Sequence, residues 1–417
     1  MIRAVKGTRD ILPPSSAVWS RVEAVMRAVF RAYNYQEIRT PIFEETLLFA
    51  RGVGEATDIV TKEMYTFEDR EGVSLTLRPE ATASVMRAYL EHRLDQQPGL
   101  IKLFYLGPMF RRERPQKGRY RQFYQIGAEA IGSESPAVDA EVIEMVTEAF
   151  AGCGLEGFQL LLNSVGCQSC RPRFVARLRE RVEQVAARLC DDCRRRAGTN
   201  ALRVLDCKVA TCQPVIEQLP SILDHLCAPC RQHFENVQKN LSSRSIGFRL
   251  QPRLVRGLDY YTRTTFEIVH GSLGAQNSVL GGGRYDGLAE QLGSKTPAPG
   301  IGFSIGEDRL VMAVEEKRAG AWGHAVELYV APVGEAAAGH CAALARELRR
   351  RGAIVEVGEE ARLKRALDLA NRLGAQFTLI VGDSELAAGT YTLKNMASGD
   401  QENVTADELA RRFPLNR

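Results

Sequence analysis

Apolar residues recur at helical spacing near the start of the chain. Val18, Val22, Val25, Met26, Val29, Phe30 and Tyr33 share one face of a segment otherwise rich in Arg, Glu and Ala, which predicts an amphipathic helix. An extended segment follows and ends at Thr40-Pro41. Further on, Ile101 to Arg111 and Phe123 to Ile131 read as strands flanking an eleven-residue loop. That connection is too short for a helical crossover, so the strands are expected to pair antiparallel, which argues against a Rossmann-type sheet.

After residue 318 the pattern changes. A Gly- and Ala-containing stretch, Ala319 to Ala325, leads into an apolar run from Val326 to Val333. A helical pattern (Ala336 to Arg351), a strand (Ile354 to Val357), a second helix (Glu359 to Leu373) and another strand (Phe377 to Val381) come next. An extended stretch (Thr390 to Met396) and a last helix (Ala406 to Phe413) complete it. This alternation predicts a small α/β domain with a mostly parallel sheet. The chain is therefore expected to divide into residues 1–320, an α+β unit, and 325–417, an α/β unit.

Composition adds boundaries rather than identity. The 417 residues are 45% hydrophobic and 25% charged, as in soluble folded proteins. They exceed the ~250–300 residues at which one core stops growing. No apolar run approaches the roughly 18–20 residues of a membrane span. The opening MIRAVKGTRD lacks the apolar stretch of a secretory signal, so a cytoplasmic location is expected.

The net charge of +4 says little until it is placed. Arg111 to Arg121 reads RRERPQKGRYR, six basic residues against one acidic. It is either a solvated hairpin tip or an anion cradle, since Arg offers planar paired donors that suit phosphate. On the following strand Tyr124, Ile126, Ala128 and Ala130 share one face and suit a core. Phe123, Gln125, Gly127 and Glu129 share the other. That second face is either open to solvent or the floor of a recognition site.

Eight of the ten cysteines lie between Cys167 and Cys230. Cys167-x₂-Cys170, Cys190-x₂-Cys193 and Cys227-x₂-Cys230 are knuckle-like pairs, and Cys207-x₄-Cys212 is a fourth. Four pairs can furnish two Cys₄ sites, and thiolates at this spacing select Zn²⁺; buried free thiols are the alternative. The cluster marks an insertion of about residues 161–245, in which the metal would replace an apolar core. Arg171 to Arg196 adds nine arginines against four acids, a surface that would suit RNA.

Six ordered segments carry a family resemblance. FRRERPQKGRYRQFYQIGAE resembles motif 2 of class II aminoacyl-tRNA synthetases in the histidyl form. KGTRDILPP, TLRPEAT, RGLDYYTRTTFEI, LGGGRYDGL and PGIGFSIGEDRL resemble histidyl-tRNA synthetase segments in their usual order. Residues 325–417 are similar to that family's anticodon-binding domain, and residues 1–320 to its catalytic domain. The resemblance implies an ATP-dependent histidine–tRNA ligase with Mg²⁺, acting on L-histidine, ATP and tRNA-His. It also implies a homodimer formed through Ser16 to Glu44, and contact of the motif 2 loop with the extra 5′ guanosine of tRNA-His. It does not call for zinc in catalysis.

Roles follow position by position from the resemblance. Arg111 would hold the α-phosphate of ATP, Phe123 would stack on adenine, and Arg309 would bind the γ-phosphate, with Glu113 and Arg119 in the same ATP site. Glu80, Ala81, Thr82 and Gln125 would engage the α-amino end of histidine. Glu129, Tyr260 and Tyr261 would line the imidazole side, and Arg256 would approach the carboxylate and α-phosphate. Blander readings compete. Glu80 follows Pro79 at a helix start, where an acid complements the dipole anyway. Tyr261 suits ordinary sheet packing, and Gly281, Gly282 and Gly283 suit either a bulge or a close approach to ligand. Gly300, Gly302 and Gly306 imitate a dinucleotide fingerprint but have the wrong spacing. Asp308 stands where the family commonly has Glu.

Two readings compete with the ligase. A non-catalytic paralogue, such as the regulatory subunit of ATP phosphoribosyltransferase, would typically lack the C-terminal module and lose catalytic positions. A non-catalytic RNA-binding protein would leave Glu80, Gln125 and Glu129 without a purpose.

Overall fold

The first helix of the computed structural model runs over Ser15–Ala32 and buries Trp19, Val22, Met26 and Phe30 at steps of three and four residues. Full burial of a side chain such as Phe30 contributes roughly 1.5–3 kcal/mol. The structure describes residues 2–55, 57–271, 277–317, 326–359 and 362–413. Ala319 to Ala325, the junction expected from sequence, lies outside them. Packing divides the chain into two units, Met1–Trp322 and Gly323–Arg417.

Strands of the first unit, in chain order, are Gln36–Glu37 (β1), Phe43–Glu45 (β2), Tyr65–Glu68 (β3), Ser74–Leu77 (β4), Ile101–Phe110 (β5) and Gln122–Ile131 (β6). Phe158–Ser164 (β7), Arg249–Leu250 (β8), Thr262–His270 (β9), Ser278–Arg284 (β10) and Gly300–Gly306 (β11) follow. Eight form one sheet in the order β1-β5-β6-β11-β10-β9-β7-β8, while β2, β4 and β3 form a small one. All pairs from β5 to β7 across the large sheet are antiparallel; only the edge pairs β1/β5 and β7/β8 are parallel. β5 and β6 pair from Ile101↔Ile131 to Phe110↔Gln122, as the short loop requires.

Both faces of this sheet are covered. Ile126, Ala128 and Ala130 pack with Met26, Phe30 and the helix Pro136–Gly152 in the main core. On the other face Tyr105, Met109, Tyr260, Tyr261 and Tyr285 pack under Val85, Met86 and Tyr89 of the helix Thr82–Glu91. Gln125 and Glu129 are therefore buried, at 8% and 1% exposure, not open to solvent.

The Cys-rich insertion corrects one expectation. It has an apolar core of its own, with Phe174, Leu178, Val182, Val204, Val215 and Ile216 buried among the cysteines. Residues of that core run from Cys170 to Val255, whereas β7 belongs to the large sheet. The helix Ala228–Ser243 joins the two, since its far half packs Phe234, Val237 and Leu241 into the main core.

In the second unit Leu328–Pro332 (β12), Val355–Val357 (β13), Phe377–Val381 (β14), Tyr391–Asn395 (β15) and Gln401–Val404 (β16) form a sheet ordered β13-β12-β14-β15-β16. Only β12/β13 and β12/β14 are parallel; β14/β15 and β15/β16 are antiparallel. The sheet is thus mixed. The links after β14 and β15 are shorter than the dozen residues that a parallel crossover needs. Among the described residues no helix is long and apolar enough to cross a membrane.

Candidate active site

Strand β6 brings the predicted residues to one wall. Phe123, Gln125 and Glu129 project from the same face because strand side chains alternate. A cavity of about 180 Å³ is lined by Arg111, Glu113, Arg119, Phe123, Gln125, Arg256 and Arg309 together with Gly281 of β10. At one end Arg111 lies 5.2 Å over the Phe123 ring and donates from Nε to Pro79 O at 2.9 Å. Glu113 sits between Arg111 (3.7 Å) and Arg119 (3.2 Å). Arg309, at the start of the helix Glu307–Lys317, donates to Ser278 O at 2.7 Å and to Gly118 O at 3.3 Å. It thereby ties the basic loop to β10.

Arg256 enters from the segment before β9, with NH1 3.3 Å from Glu267 Oε2. A Cβ on Gly281 would lie 1.6 Å from its guanidinium. The glycine run lines the cavity at Gly281, where a side chain would have no room. It lets a site arginine lie flat on the sheet, with register shifts on either side of Leu280–Gly283. Gln125 Oε1 and Arg256 Nε are buried and meet no partner among the described residues, so both are available to a bound molecule.

Carboxylates and phenols gather further along β6. Glu129 accepts from Thr82 Oγ1 and from Tyr285 OH, each at 2.7 Å. Burial pushes its carboxyl up to about 8, against the lowering effect of those hydrogen bonds and with added repulsion from Glu80. Gly302 makes room for it, because a Cβ there would meet Glu129 Oε2 at 1.7 Å. Both Glu80 oxygens accept from the helix start, Thr82 N at 2.8 Å and Ala83 N at 2.9 Å. The helix-terminal role of Glu80 is thus present, and Tyr260 OH lies 3.4 Å from it. Ala81 is buried beneath this turn.

Comparison with known proteins decides the family. A family model for histidyl-tRNA synthetase matches residues 7–310, and one for an anticodon binding domain matches residues 327–414. The chain belongs to the histidyl-tRNA synthetase family. It is 68% identical to the histidine–tRNA ligase of Solibacter usitatus over 99% of both chains. It is 54% identical to that of Koribacter versatilis, over 98% of this chain and 95% of the other. Among solved structures, the apo histidyl-tRNA synthetase of S. aureus superposes with a TM-score of 0.81 at 38% identity, covering 99% of this chain and 100% of that one.

Within this family frame, three residues escaped the sequence reading. Tyr285 hydrogen-bonds Glu129; the signal lay in RYDG after the glycine run. Glu267 pairs with Arg256. Arg9, in KGTRD, pairs with Asp308 at 2.8 Å, while the other Asp308 oxygen accepts from Tyr124 N at 3.0 Å. The shortened carboxylate thus joins the N-terminal segment to β6 while also lining the cavity.

The eight clustered cysteines are free thiols and assemble into two groups that could each hold a metal ion. Cys167, Cys170, Cys227 and Cys230 form one; Cys190, Cys193, Cys207 and Cys212 form the other. Within each group all sulfurs lie within 4.8 Å of one another.

The raised Glu129 carboxyl has a consequence for stability. A group protonated in the folded state up to about 8 binds more protons folded than unfolded, so stability falls as pH rises through that window. Glu129→Gln removes the titrating group while keeping its shape. Relative to the parent, its melting temperature is expected to gain as pH rises from 5 to 9, and its histidine binding to weaken. Parallel melting curves for the two chains across that range would contradict the assignment.

Proposed function

We propose that the chain ligates L-histidine to tRNA-His in two steps. A carboxylate oxygen of histidine attacks the α-phosphorus of ATP and the bond to pyrophosphate breaks. A terminal ribose hydroxyl of the tRNA then attacks the histidyl carbonyl and AMP leaves. Such transfers depend on positioning and charge stabilisation rather than on a protein nucleophile. What supports the reading is strand β6, which carries Phe123 among the guanidiniums of the cavity at one end and the buried Glu129, bonded to Tyr285, at the other.

Arg111 and Arg256 neutralise the α-phosphate, Phe123 stacks on adenine, and Arg309 with Arg119 takes the distal phosphates, Glu113 holding the arginines apart. Mg²⁺ supplies further positive charge to the pyrophosphate when bound. Gln125 Oε1, Glu80 and Thr82 receive the α-ammonium group. Glu129 and its Tyr285 partner, beside Tyr260 and Tyr261, address the two imidazole nitrogens. A buried site built on hydrogen bonds rejects analogues without them by ~10⁴–10⁵-fold.

Partners follow from the surface. Arg112, Arg114 and Lys117 stay exposed at the tip of the β5–β6 hairpin, where the acceptor end of a tRNA can reach. Residues 325–417 take the anticodon. Ile42, Phe43, Leu47 and Phe67 are 44–53% exposed on the small sheet and its flank, an apolar patch that suits pairing with a second copy. The two thiolate clusters hold zinc in a structural role, and metal analysis is expected to return two ions per chain; fewer than one would reject the ion.

Histidine-dependent exchange of pyrophosphate into ATP tests the activity. We expect exchange with histidine and none with other amino acids. Well-folded protein without exchange would favour the non-catalytic paralogue, against which the presence of Arg111, Arg256, Arg309 and the C-terminal module already speaks.

A further inference from the structure

The first cysteine cluster lies at the root of the insertion, next to the segment that carries the amino-acid site. Cys167 follows β7, and Cys227 opens the helix Ala228–Ser243, which returns to the main core. Its sulfurs have the spacing of a metal site. Cys167 Sγ is 3.8 Å from Cys170 Sγ and 3.8 Å from Cys227 Sγ. Four sulfurs at about 2.3 Å from a tetrahedral zinc stand about 3.8 Å apart along each edge. Backbone amides also point at them, Ser169 N at Cys167 Sγ and Cys167 N at Cys170 Sγ, at 3.4 and 3.3 Å. Such donors stabilise thiolate over thiol.

The knuckle reaches the substrate segment through named bonds. Arg171, the residue after Cys170, is half-buried and donates from NH1 to Tyr261 O at 2.8 Å, with Asp259 O at 3.4 Å. Gly166, the residue before Cys167, accepts from Arg263 N at 2.8 Å, and Val165 N donates back to Arg263 O at 2.7 Å. Arg263 is held there at φ +48°, a conformation that side chains rarely adopt. Tyr260 and Tyr261 are thus pinned on their C-terminal side by backbone contacts that lead within one residue to the cluster.

We infer that Cys167, Cys170, Cys227 and Cys230 hold a zinc ion whose knuckle, through Arg171, positions Tyr260 and Tyr261 for the amino acid. Arg171 is a positioning residue: it bonds a main-chain oxygen behind the site and touches no substrate. The inference rests on the zinc reading above and goes further, in tying the metal to amino-acid affinity and not only to folding. Apart from Arg256, which shares the tethered segment, the ATP contacts on β6 and the helix Glu307–Lys317 show no such tether to the knuckle among the described residues.

Calorimetric titration of the full-length zinc-loaded chain with histidine and with ATP tests it independently of turnover. Arg171→Ala is expected to keep two zinc ions and to weaken histidine binding by about tenfold, the loss of one such hydrogen-bonded anchor. ATP binding should stay within about twofold, and Arg171→Lys should recover part of the loss. Zinc retained with histidine affinity unchanged, or both ligands weakened alike, would overturn the coupling. Should Arg171→Ala not fold, zinc withdrawn from the parent chain by a chelator serves instead. Histidine affinity is expected to fall and to return when zinc is restored; affinity indifferent to zinc, or purified chain with under one ion, overturns the inference.

Discussion

Arg256→Ala is expected to lower the rate of histidine-dependent pyrophosphate exchange about 10²–10³-fold, the effect of removing one preorganised donor from a developing anion. The reason is how the guanidinium is held. Its NH1 faces Glu267 on β9, its Nε is buried with no partner among the described residues, and Gly281 beneath it has no side chain to lift it away. A group so confined needs no reorganisation when charge develops at the α-phosphate. Arg256→Lys should recover little, because one ammonium cannot supply the planar fork that fits this slot. The loss should fall mainly on kcat, with apparent ATP affinity changing less, if the contact strengthens in the transition state. Exchange within threefold of the parent, from a variant with unchanged circular dichroism, would remove Arg256 from the proposed chemistry.

Asp139→Ala is expected to destabilise the first unit by about 3–5 kcal/mol, because it strips the more deeply buried of two carboxylate partners from a buried guanidinium. Arg284 and Asp139 both have fully buried side chains and meet at 2.7 Å. Arg284 also donates to Ser133 O, Asp286 Oδ1 and Ser135 O, at 2.9, 2.9 and 3.1 Å. Asp139 takes a further contact from His233 Nε2 at 2.9 Å. That histidine lies on the helix leading out of the insertion, so one carboxylate joins β10, the helix Pro136–Gly152 and the insertion's exit. Asp139→Asn keeps the shape and should lose less. Urea unfolding followed by the tyrosines of the first unit would report the difference. A shift below about 1 kcal/mol would show that the network relaxes or admits water more readily than its packing implies.

Much of this was legible because local rules and the global fold agree. The β5–β6 hairpin followed from the length of one loop, and β6 faces followed from alternation. The cysteine pairs were visible as pairs, but which pair joins which depends on a chain path that spacing does not encode. The apolar core of the insertion was hidden because Phe174, Leu178 and Val182 are spread among arginines. β16 was missed because its exposed edge reads Gln-Glu-Asn-Val, with no alternation to detect. Tyr285 and Glu267 escaped for another reason. Each acts by meeting a residue more than ten positions away, and such meetings are made by sheet register, not by neighbours in sequence.

Strand β6 also works as a ruler. Phe123 and Glu129 are six residues apart on one face, and each step along an extended chain covers about 3.3 Å, so the nucleobase end and the imidazole end stand about 20 Å apart. That span is set by backbone geometry and is locked by β5 along its whole length and by β11 from Gln125 onward. It cannot be adjusted a little. Removing or adding one residue between the two ends would turn one of them to the opposite face, into the main core. Evolution can change the side chains along this edge, but only in whole two-residue strides.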